Sequence, residues 1–211
     1  MTLWLTRIQL NLRDRTVRRD LANAVDLHRT MMSMMPDDLG NNARQQTGLL
    51  YRLDETPIAT KLLIQSQHAP NLTALPTGYG EAATRSLDQL LDNLTAGTQV
   101  RYRLVGNPTK RTPRGHERPG KILALHGPDA DQWWVQRAYN SGLAVNTLSA
   151  TALADIRGRK DRATSTIRHA ATRFDGTATV ADVPQLRDAI IRGIGRGKSY
   201  GCGLLSLVAT G

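Results

Sequence analysis

The chain has 211 residues, with 28 Lys or Arg against 18 Asp or Glu, which gives a formal charge of +10 at pH 7. This length can form one large or two small domains with a substantial core, and the charge favours a phosphate-rich partner, with nucleic acid ahead of membrane. No stretch approaches the ~20 apolar residues of a membrane span, and the first residues lack the pattern of a signal peptide. A single cysteine excludes an internal disulfide and a cysteine-based metal site, and suits the cytoplasm.

The N-terminal segment predicts a strand followed by a helix. Polar and apolar residues alternate over residues 4–12, which is typical of a strand, and residues 13–19 are interpreted as a charged turn. A helix is predicted over residues 23–35 because Asn23 and Asp26 have the spacing of a helix start. Its predicted core stripe consists of Leu27, Met31, Met34 and Met35.

His28 lies within the apolar arc of this helix and has two interpretations. A histidine on an apolar face is more often a core residue than a catalyst. Its neighbour Arg29 and the amides at the helix start could, however, both meet a phosphate. The other four histidines lie in predicted loops or strands without such a setting. No His-x-x-x-His pair or acidic cluster indicates a metal site.

The rest of the first half predicts three strands and a second helix. The apolar runs 49–53 and 59–65 favour a hairpin, residues 86–94 a short amphipathic helix and residues 100–104 a strand. The order is then β-α-β-β-α-β. Residues 107–121 are polar, basic and broken by prolines, a composition that is equally compatible with nucleic-acid contact and with a solvated linker.

The second half predicts the same order again. Trp133, Trp134 and Ala138 are expected to anchor its core. Two βαββαβ units in series favour an α+β protein with two tandem ferredoxin-like domains, the first at residues 1–112 and the second at residues 118–211. The predicted elements of the second domain are strands at 121–125, 148–156, 164–174 and from 204, and helices at 129–141 and from about 184.

Four cations lie between the two middle strands of the second domain. A solvated turn accounts for such a sequence, yet several positive charges on one hairpin tip repel one another without a counter-charge, which favours phosphate contact. Aromatic residues make up only 4% of the chain, so the base-stacking platform of RNA-recognition domains is missing. We expect recognition of phosphates and of the shape of a structured RNA. The four residues are Arg157, Arg159, Lys160 and Arg162.

A glycine-rich segment connects the last predicted helix to the last strand. A Walker loop would need a glycine at Arg192, and a dinucleotide fingerprint fails at Lys198 and Tyr200. A helix cap alone would need one glycine. What remains is backbone that can approach a partner closely beside several cations, so we predict an anion-facing loop. Its candidate RNA-binding residues are Gly195, Arg196, Gly197 and Lys198.

Four stretches, spread over nearly the whole chain, carry a family resemblance. They are Trp4-Leu-Thr, Arg18-Arg-Asp-Leu-Ala-Asn23 leading to Leu27-His28-Arg29, Asn107-Pro-Thr-Lys-Arg111, and the tail from Arg192 to Ser206. Together they resemble the CRISPR repeat-RNA endoribonucleases, and most closely the CasE branch that serves the Cascade complex. The tail and the helix histidine in combination are quite specific to this family.

The resemblance implies a metal-independent, cofactor-free cut in precursor CRISPR RNA at the base of each repeat hairpin. The RNA's own 2′-hydroxyl attacks the adjacent phosphate, which leaves a 2′,3′-cyclic phosphate and a 5′-hydroxyl. His28 matches the catalytic histidine of the family, and a group that titrates near neutrality suits the transfer of that proton. Arg29 would hold the scissile phosphate or its neighbour. The basic hairpin would lie along the repeat stem, and the glycine-rich loop with Lys198 would shape the RNA path.

The resemblance also implies that the protein stays bound to the mature CRISPR RNA beside other Cascade subunits. One residue departs from the family pattern, because some relatives carry a second catalytic tyrosine where this chain has Val25. Either His28 acts alone, or another group such as Tyr200 or Lys198 assists it. Two alternatives stay open: a non-catalytic subunit that only binds hairpin RNA, with His28 in its core, and a basic protein for another phosphate-rich target such as ribosomal RNA or DNA.

Overall fold

The structure is a computed structural model that describes residues 2–37, 39–115, 117–159 and 166–210. Lys160 and Arg162, two of the predicted phosphate contacts, lie outside the described residues. The strands are β1 (Trp4–Leu10), β2 (Leu50–Thr56), β3 (Ala59–Ser66), β4 (Gly80–Ser86), β5 (Gln99–Gly106), β6 (Thr109–Arg111), β7 (Ile122–Ala124), β8 (Leu143–Arg159), β9 (Thr166–Val180) and β10 (Leu205–Ala209). The helices are α1 (Arg15–Ala22), α2 (Ala24–Met32), α3 (Ala43–Thr47), α4 (Asp88–Asp92), α5 (Pro128–Tyr139) and α6 (Val183–Arg192).

The first four strands form one sheet in the order β2-β3-β1-β4, with every neighbouring pair antiparallel. This is the strand order of a ferredoxin-like unit. Ile8 of β1 and Ile64 of β3 are fully buried in one cluster with Val17 of α1 and Met31 of α2. The predicted core stripe is confirmed, because Leu27, Met31, Met34 and Met35 are all buried, but α2 ends at Met32 and the last two residues follow it.

α1 occupies the segment that was predicted to be a charged turn, so that prediction is wrong. Asp14 caps the helix by accepting hydrogen bonds from the backbone N–H groups of Thr16 (2.8 Å) and Val17 (3.1 Å). Val17 and Asp20 are its buried side chains, and Asp20 accepts a hydrogen bond of 2.8 Å from the hydroxyl of Tyr79. The sequence did not indicate this helix because its buried side carries a carboxylate where an apolar residue would mark the period.

The strand predicted at residues 100–104 is confirmed as β5, but its assignment to the first sheet is wrong. β4 lies beside β1 instead, where the hydroxyls of Thr6 and Thr84 are hydrogen-bonded at 2.8 Å. β5 pairs with β9 and β10, and its Tyr102 and Leu104 are buried in the second core. The sheets therefore divide between Ser86 and Gln99, upstream of the predicted division between residues 112 and 118.

The first unit also differs from the predicted order in its second helix. Residues 67–79, which connect β3 to β4, hold a 3-10 turn (Leu72–Ala74) in place of a helix. The helix predicted at residues 86–94 is the single turn α4, which follows β4. Leu87 and Leu91 of this segment pack into the core of the second unit. Their apolar spacing therefore reflects burial in the second unit and not a helix of the first unit.

The second sheet has the order β10-β5-β9-β8, and with α5 and α6 it completes a ferredoxin-like unit. Trp134 is fully buried between Tyr102 and Phe174, with ring centroids 5.3 and 5.8 Å away. The strand predicted at residues 121–125 forms β7, but only as half of a small hairpin with β6. β5 takes the first position of the unit instead. The prediction of an α+β protein with two ferredoxin-like sheets is confirmed.

β8 and β9 form a hairpin that is much longer than the other strand pairs, with 17 and 15 residues. Its pairing is interrupted by irregularities between Val145 and Thr147 and between Leu153 and Ile156, which bend such ribbons. The hairpin therefore reaches beyond its own sheet and across to the first unit. No helix in the described part of the chain is long and apolar enough to cross a membrane.

Candidate functional site

The end of the long hairpin packs on the start of α2. Asn23 caps α2 by accepting a hydrogen bond from the backbone N–H of Val25 (3.2 Å), and its side-chain amide donates to Asp26 (2.7 Å), as the sequence predicted. The same Asn23 side chain bonds both the N–H (3.0 Å) and the C=O (3.2 Å) of Arg159 in β8. A methyl group built on Gly158 would lie 3.0 Å from Val25 Cγ2. The helix of the first unit is thus held by the hairpin of the second, and Val25 is buried beneath it.

His28 lies one turn into α2 and is partly buried. Its Nδ1 atom is buried and has no hydrogen-bond partner among the described residues. The ring of Tyr200 lies edge-on to it, with centroids 6.2 Å apart. Burial, and after it the positive charge of Arg44, lower the pKa of His28 to about 4. The expectation of a group that titrates near neutrality is therefore wrong for the RNA-free protein, in which His28 is neutral at pH 7.

The glycine-rich loop brings cations to the side of this histidine. The Tyr51 hydroxyl donates a hydrogen bond of 2.9 Å to the carbonyl of Ser199, which ties the loop to β2. Gly193 has φ +72°, and a methyl group built there would lie 2.7 Å from Leu50, so only glycine fits. The Lys198 amine donates to the carbonyl of Arg192 (2.8 Å), and burial, Arg44 and Arg192 lower the pKa of Lys198. The prediction that the loop faces an anion stays a prediction, and this crowding of cations supports it.

A second histidine completes the wall of the site. The rings of His169 and Tyr200 are stacked with centroids 5.6 Å apart. The side-chain amide of Asn107 donates to His169 Nδ1 (3.0 Å), and burial, followed by the charge of Arg196, lowers the pKa of His169. The sequence did not indicate His169 or Arg44. The one sequence signal for this part of the site was the Asn107 segment, which was part of the family resemblance.

The remaining predicted RNA contacts do not share one cleft. Arg29 is exposed and pairs with Asp26 (3.0 Å). Arg157 and Arg159 are exposed at the edge of a cleft of about 470 Å³ beside the start of α2. Gly195 and Arg196 border α5 and the β6–β7 hairpin, and Arg196 is also close enough to His169 to lower its pKa; Gly197 packs against Cys202. Lys198 begins the 3-10 turn that packs on α2, the helix of His28, whereas Gly195 and Arg196 line the cleft beside α5.

Metal ligands do not group at this site. Within the described ranges, no cluster of three or more His, Cys, Asp and Glu side chains could hold a metal ion. The charges that act on His28 and His169 are the cations Arg44 and Arg196, which suit an anionic ligand.

Comparison with known proteins agrees with the family resemblance. Residues 3–208 match the model of a family described as CRISPR associated protein. The chain is 31% identical to the CRISPR-associated endoribonuclease Cse3 of Thermus thermophilus, over 97% of this chain and 99% of the relative. It is 28% identical to the CRISPR system Cascade subunit CasE of Escherichia coli, over 86% of this chain and 89% of that one.

Two solved structures extend the similarity to the whole fold. Thermus thermophilus Cse3 bound to an RNA representing a pre-cleavage complex has a TM-score of 0.82 at 28% identity, and the match covers 99% of this chain and 100% of that chain. A chain of a CRISPR RNA-guided surveillance complex in a pre-nicking state has a TM-score of 0.75 at 41% identity, with 98% and 100% covered.

Proposed function

This chain belongs to the family of CRISPR-associated proteins, and we propose that it is an endoribonuclease that cuts precursor CRISPR RNA at the base of a repeat hairpin. The observation that carries the proposal is the state of His28. It is a neutral histidine with an unused, buried Nδ1, placed among the cations of α3 and the glycine-rich loop. The relatives of this chain include a protein named an endoribonuclease and a structure with an RNA that represents a pre-cleavage complex.

In the proposed reaction, neutral His28 acts as the general base. It accepts the proton of the RNA's 2′-hydroxyl, whose oxygen forms a bond to the adjacent phosphorus while the bond from phosphorus to the 5′-oxygen breaks. The 5′-oxygen takes up a proton from water, protonated His28 returns its proton to solvent, and the products are a 2′,3′-cyclic phosphate and a 5′-hydroxyl. The nucleophile is part of the RNA, so the step as written needs no metal or cofactor.

The surrounding charges have separate roles in this scheme. Arg44 and Lys198 offset the negative charge that builds up on the phosphate. Approach of the phosphate raises the pKa of His28 from its value in the free protein, because a nearby anion favours the protonated ring. Arg29 and the arginines of the β8 tip bind phosphates of the stem.

The same proposal places the protein in a complex. We place it beside other Cascade subunits, as the name of the Escherichia coli relative suggests, with the mature CRISPR RNA retained. Its location is then the cytoplasm, where the precursor transcript is made.

The test is cleavage of a repeat hairpin RNA in the presence of EDTA. We expect cutting by the purified protein, no cutting when the scissile nucleotide carries 2′-deoxyribose, and unchanged binding of that RNA. The variant H28A should bind without cutting, whereas H68A, which changes a histidine that the proposed reaction does not use, should cut normally. RNA that is shifted on a gel but intact with the unaltered protein would identify a non-catalytic hairpin-binding subunit. DNA cut as well as RNA would contradict the proposed chemistry.

A further inference from the structure

We infer that a second basic surface, separate from His28, binds the unpaired strand of the precursor RNA next to the repeat stem; this inference rests on the proposed function. The surface, here called the basic cleft, consists of Lys110, Arg111, Arg137 and Arg196 around Trp133. It lies between the β6–β7 hairpin, α5 and the glycine-rich loop, and its volume is about 170 Å³. A wider groove along α5 continues it outward.

One wall of the cleft is an addition to the fold. β6 and β7 pair only with each other, Thr109 with Ala124 and Arg111 with Ile122. Both ferredoxin-like sheets are complete without them. The hairpin is closed by a hydrogen bond of 2.9 Å from the N–H of Thr112 to the carbonyl of Lys121. An ordered element that neither sheet requires is well placed to serve a ligand.

The charges of the cleft are not neutralised within the protein. All four cations are exposed, and in the part of the chain that the structure describes none of them forms an ion pair with a carboxylate. Arg111 donates to the carbonyl of Gly120 (3.3 Å), and the Arg137 guanidinium lies 5.8 Å from the centre of the Trp133 ring. Asp129 borders only the outer groove. Such an excess of positive charge around a concave surface attracts a polyanion.

Trp133 gives the cleft a rigid planar floor. It was predicted as a core anchor, yet it is only partly buried, whereas Trp134 is fully buried. Its ring stacks on Phe174 with centroids 6.0 Å apart, and a methyl group on Gly195 would lie 3.1 Å from it. With Arg137 over its face, it forms a flat cationic surface of the kind on which unpaired bases stack. Bases paired within a stem do not offer their faces, so this feature selects an unpaired strand.

The cleft is continuous with the proposed cleavage site. Arg196 also borders a cavity of about 370 Å³ that contains His169. His169 stacks on Tyr200, and Tyr200 contacts His28. The basic tip of β8 lies elsewhere, at the start of α2. Two basic surfaces thus diverge from His28, as paired and unpaired RNA diverge at the base of a hairpin.

The experiment compares binding of three RNAs to the H28A protein, which leaves them intact: the hairpin alone, the hairpin with a short unpaired 5′ extension, and the hairpin with a 3′ extension. One extension should strengthen binding roughly tenfold at ~0.1 M salt, and the RNA that shows the gain identifies the strand. In K110A/R137A this gain should vanish. For that RNA, the slope of the logarithm of the binding constant against the logarithm of the salt concentration should become shallower by about 1.4, which corresponds to two single-strand phosphate contacts of ~0.7 each.

The double variant R85A/R101A is the matched control, because it removes the same charge from exposed strand positions outside the cleft; it should keep the gain. With His28 intact, K110A/R137A should cut, at the unaltered rate, a hairpin that carries a single nucleotide beyond the scissile phosphate. The inference is overturned if neither extension strengthens binding, or if K110A/R137A weakens binding of the bare hairpin equally. Loss of cutting by the unaltered protein would instead contradict the proposed function.

Discussion

His28 and His169 both lie beside the ring of Tyr200, yet the fold uses them differently. His169 belongs to β9, and its Nδ1 accepts the amide hydrogen of Asn107 at 3.0 Å, so that ring is part of the framework. His28 belongs to α2, and its Nδ1 is buried without a partner in the described chain. The pKa of both is lowered, chiefly by burial. In the described chain no hydrogen bond fixes Nδ1 of the His28 ring, whereas the Asn107 amide fixes that of His169.

The largest expected difference between the two histidines is in cleavage rate. H28A should lower the single-turnover rate by about 10²–10⁴-fold, the usual contribution of a general base. H169A should lower it by less than about tenfold, because its hydrogen bond positions Asn107 without handling the reacting proton. Equal losses in both variants, with both proteins folded by circular dichroism, would contradict the distinction.

The second difference is in the titration of His28. Its ring signals in NMR should titrate with a midpoint of about 4 in the RNA-free protein. R44A should raise this midpoint but leave it below the ordinary value of ~6.5, because burial is the larger cause of the shift. R29A should leave it unchanged, although Arg29 is the adjacent residue. A midpoint at or above the ordinary value in the unaltered protein would contradict the burial of this ring.

The same shift makes the protein less stable in acid. The unfolded chain takes up a proton on His28 below pH ~6.5, whereas the folded protein does so only below about 4. The free energy of unfolding therefore falls as the pH falls through this window, by at most about 3 kcal/mol from this group. Denaturant unfolding at several pH values should show this slope reduced in H28A, and a slope that is the same in both proteins would contradict it.

Local features of the fold were predictable from the sequence, but the neighbours of a strand were not. The spacing of Asn23 and Asp26 correctly gave the start of α2, because a helix cap is a local interaction. Alternation identified β5 as a strand but carried no information about its partners, so it was assigned to the wrong sheet. Pairing between β5 and β10 joins segments about a hundred residues apart, and only the packed core selects it.

The candidate site shows the same limit. His28 could be selected because its helix, its arginine neighbour and the family resemblance all lie close together in the sequence. His169, Tyr200 and Arg44 come from three distant segments, and neither composition nor periodicity indicates that they meet. The glycine-rich loop was noticeable in the sequence, yet the structure divides its residues between two surfaces.

The smallest expected effect concerns how the two histidines are held relative to each other. His169 pairs with Ile156 across the long hairpin, and two residues further along β8 the backbone of Gly158 packs on Val25 at the start of α2. A methyl group at Gly158 would force this contact apart, so G158A should destabilise the protein by about 1–3 kcal/mol and slow cleavage by less than H28A does.

G115A is the matched control, because nothing lies within 4 Å of a methyl group built there. Denaturant midpoints and single-turnover rates measure both effects. If G158A and G115A behave alike, the hairpin does not fix α2, and the spacing of the two histidines must be set by Tyr200 and the glycine-rich loop.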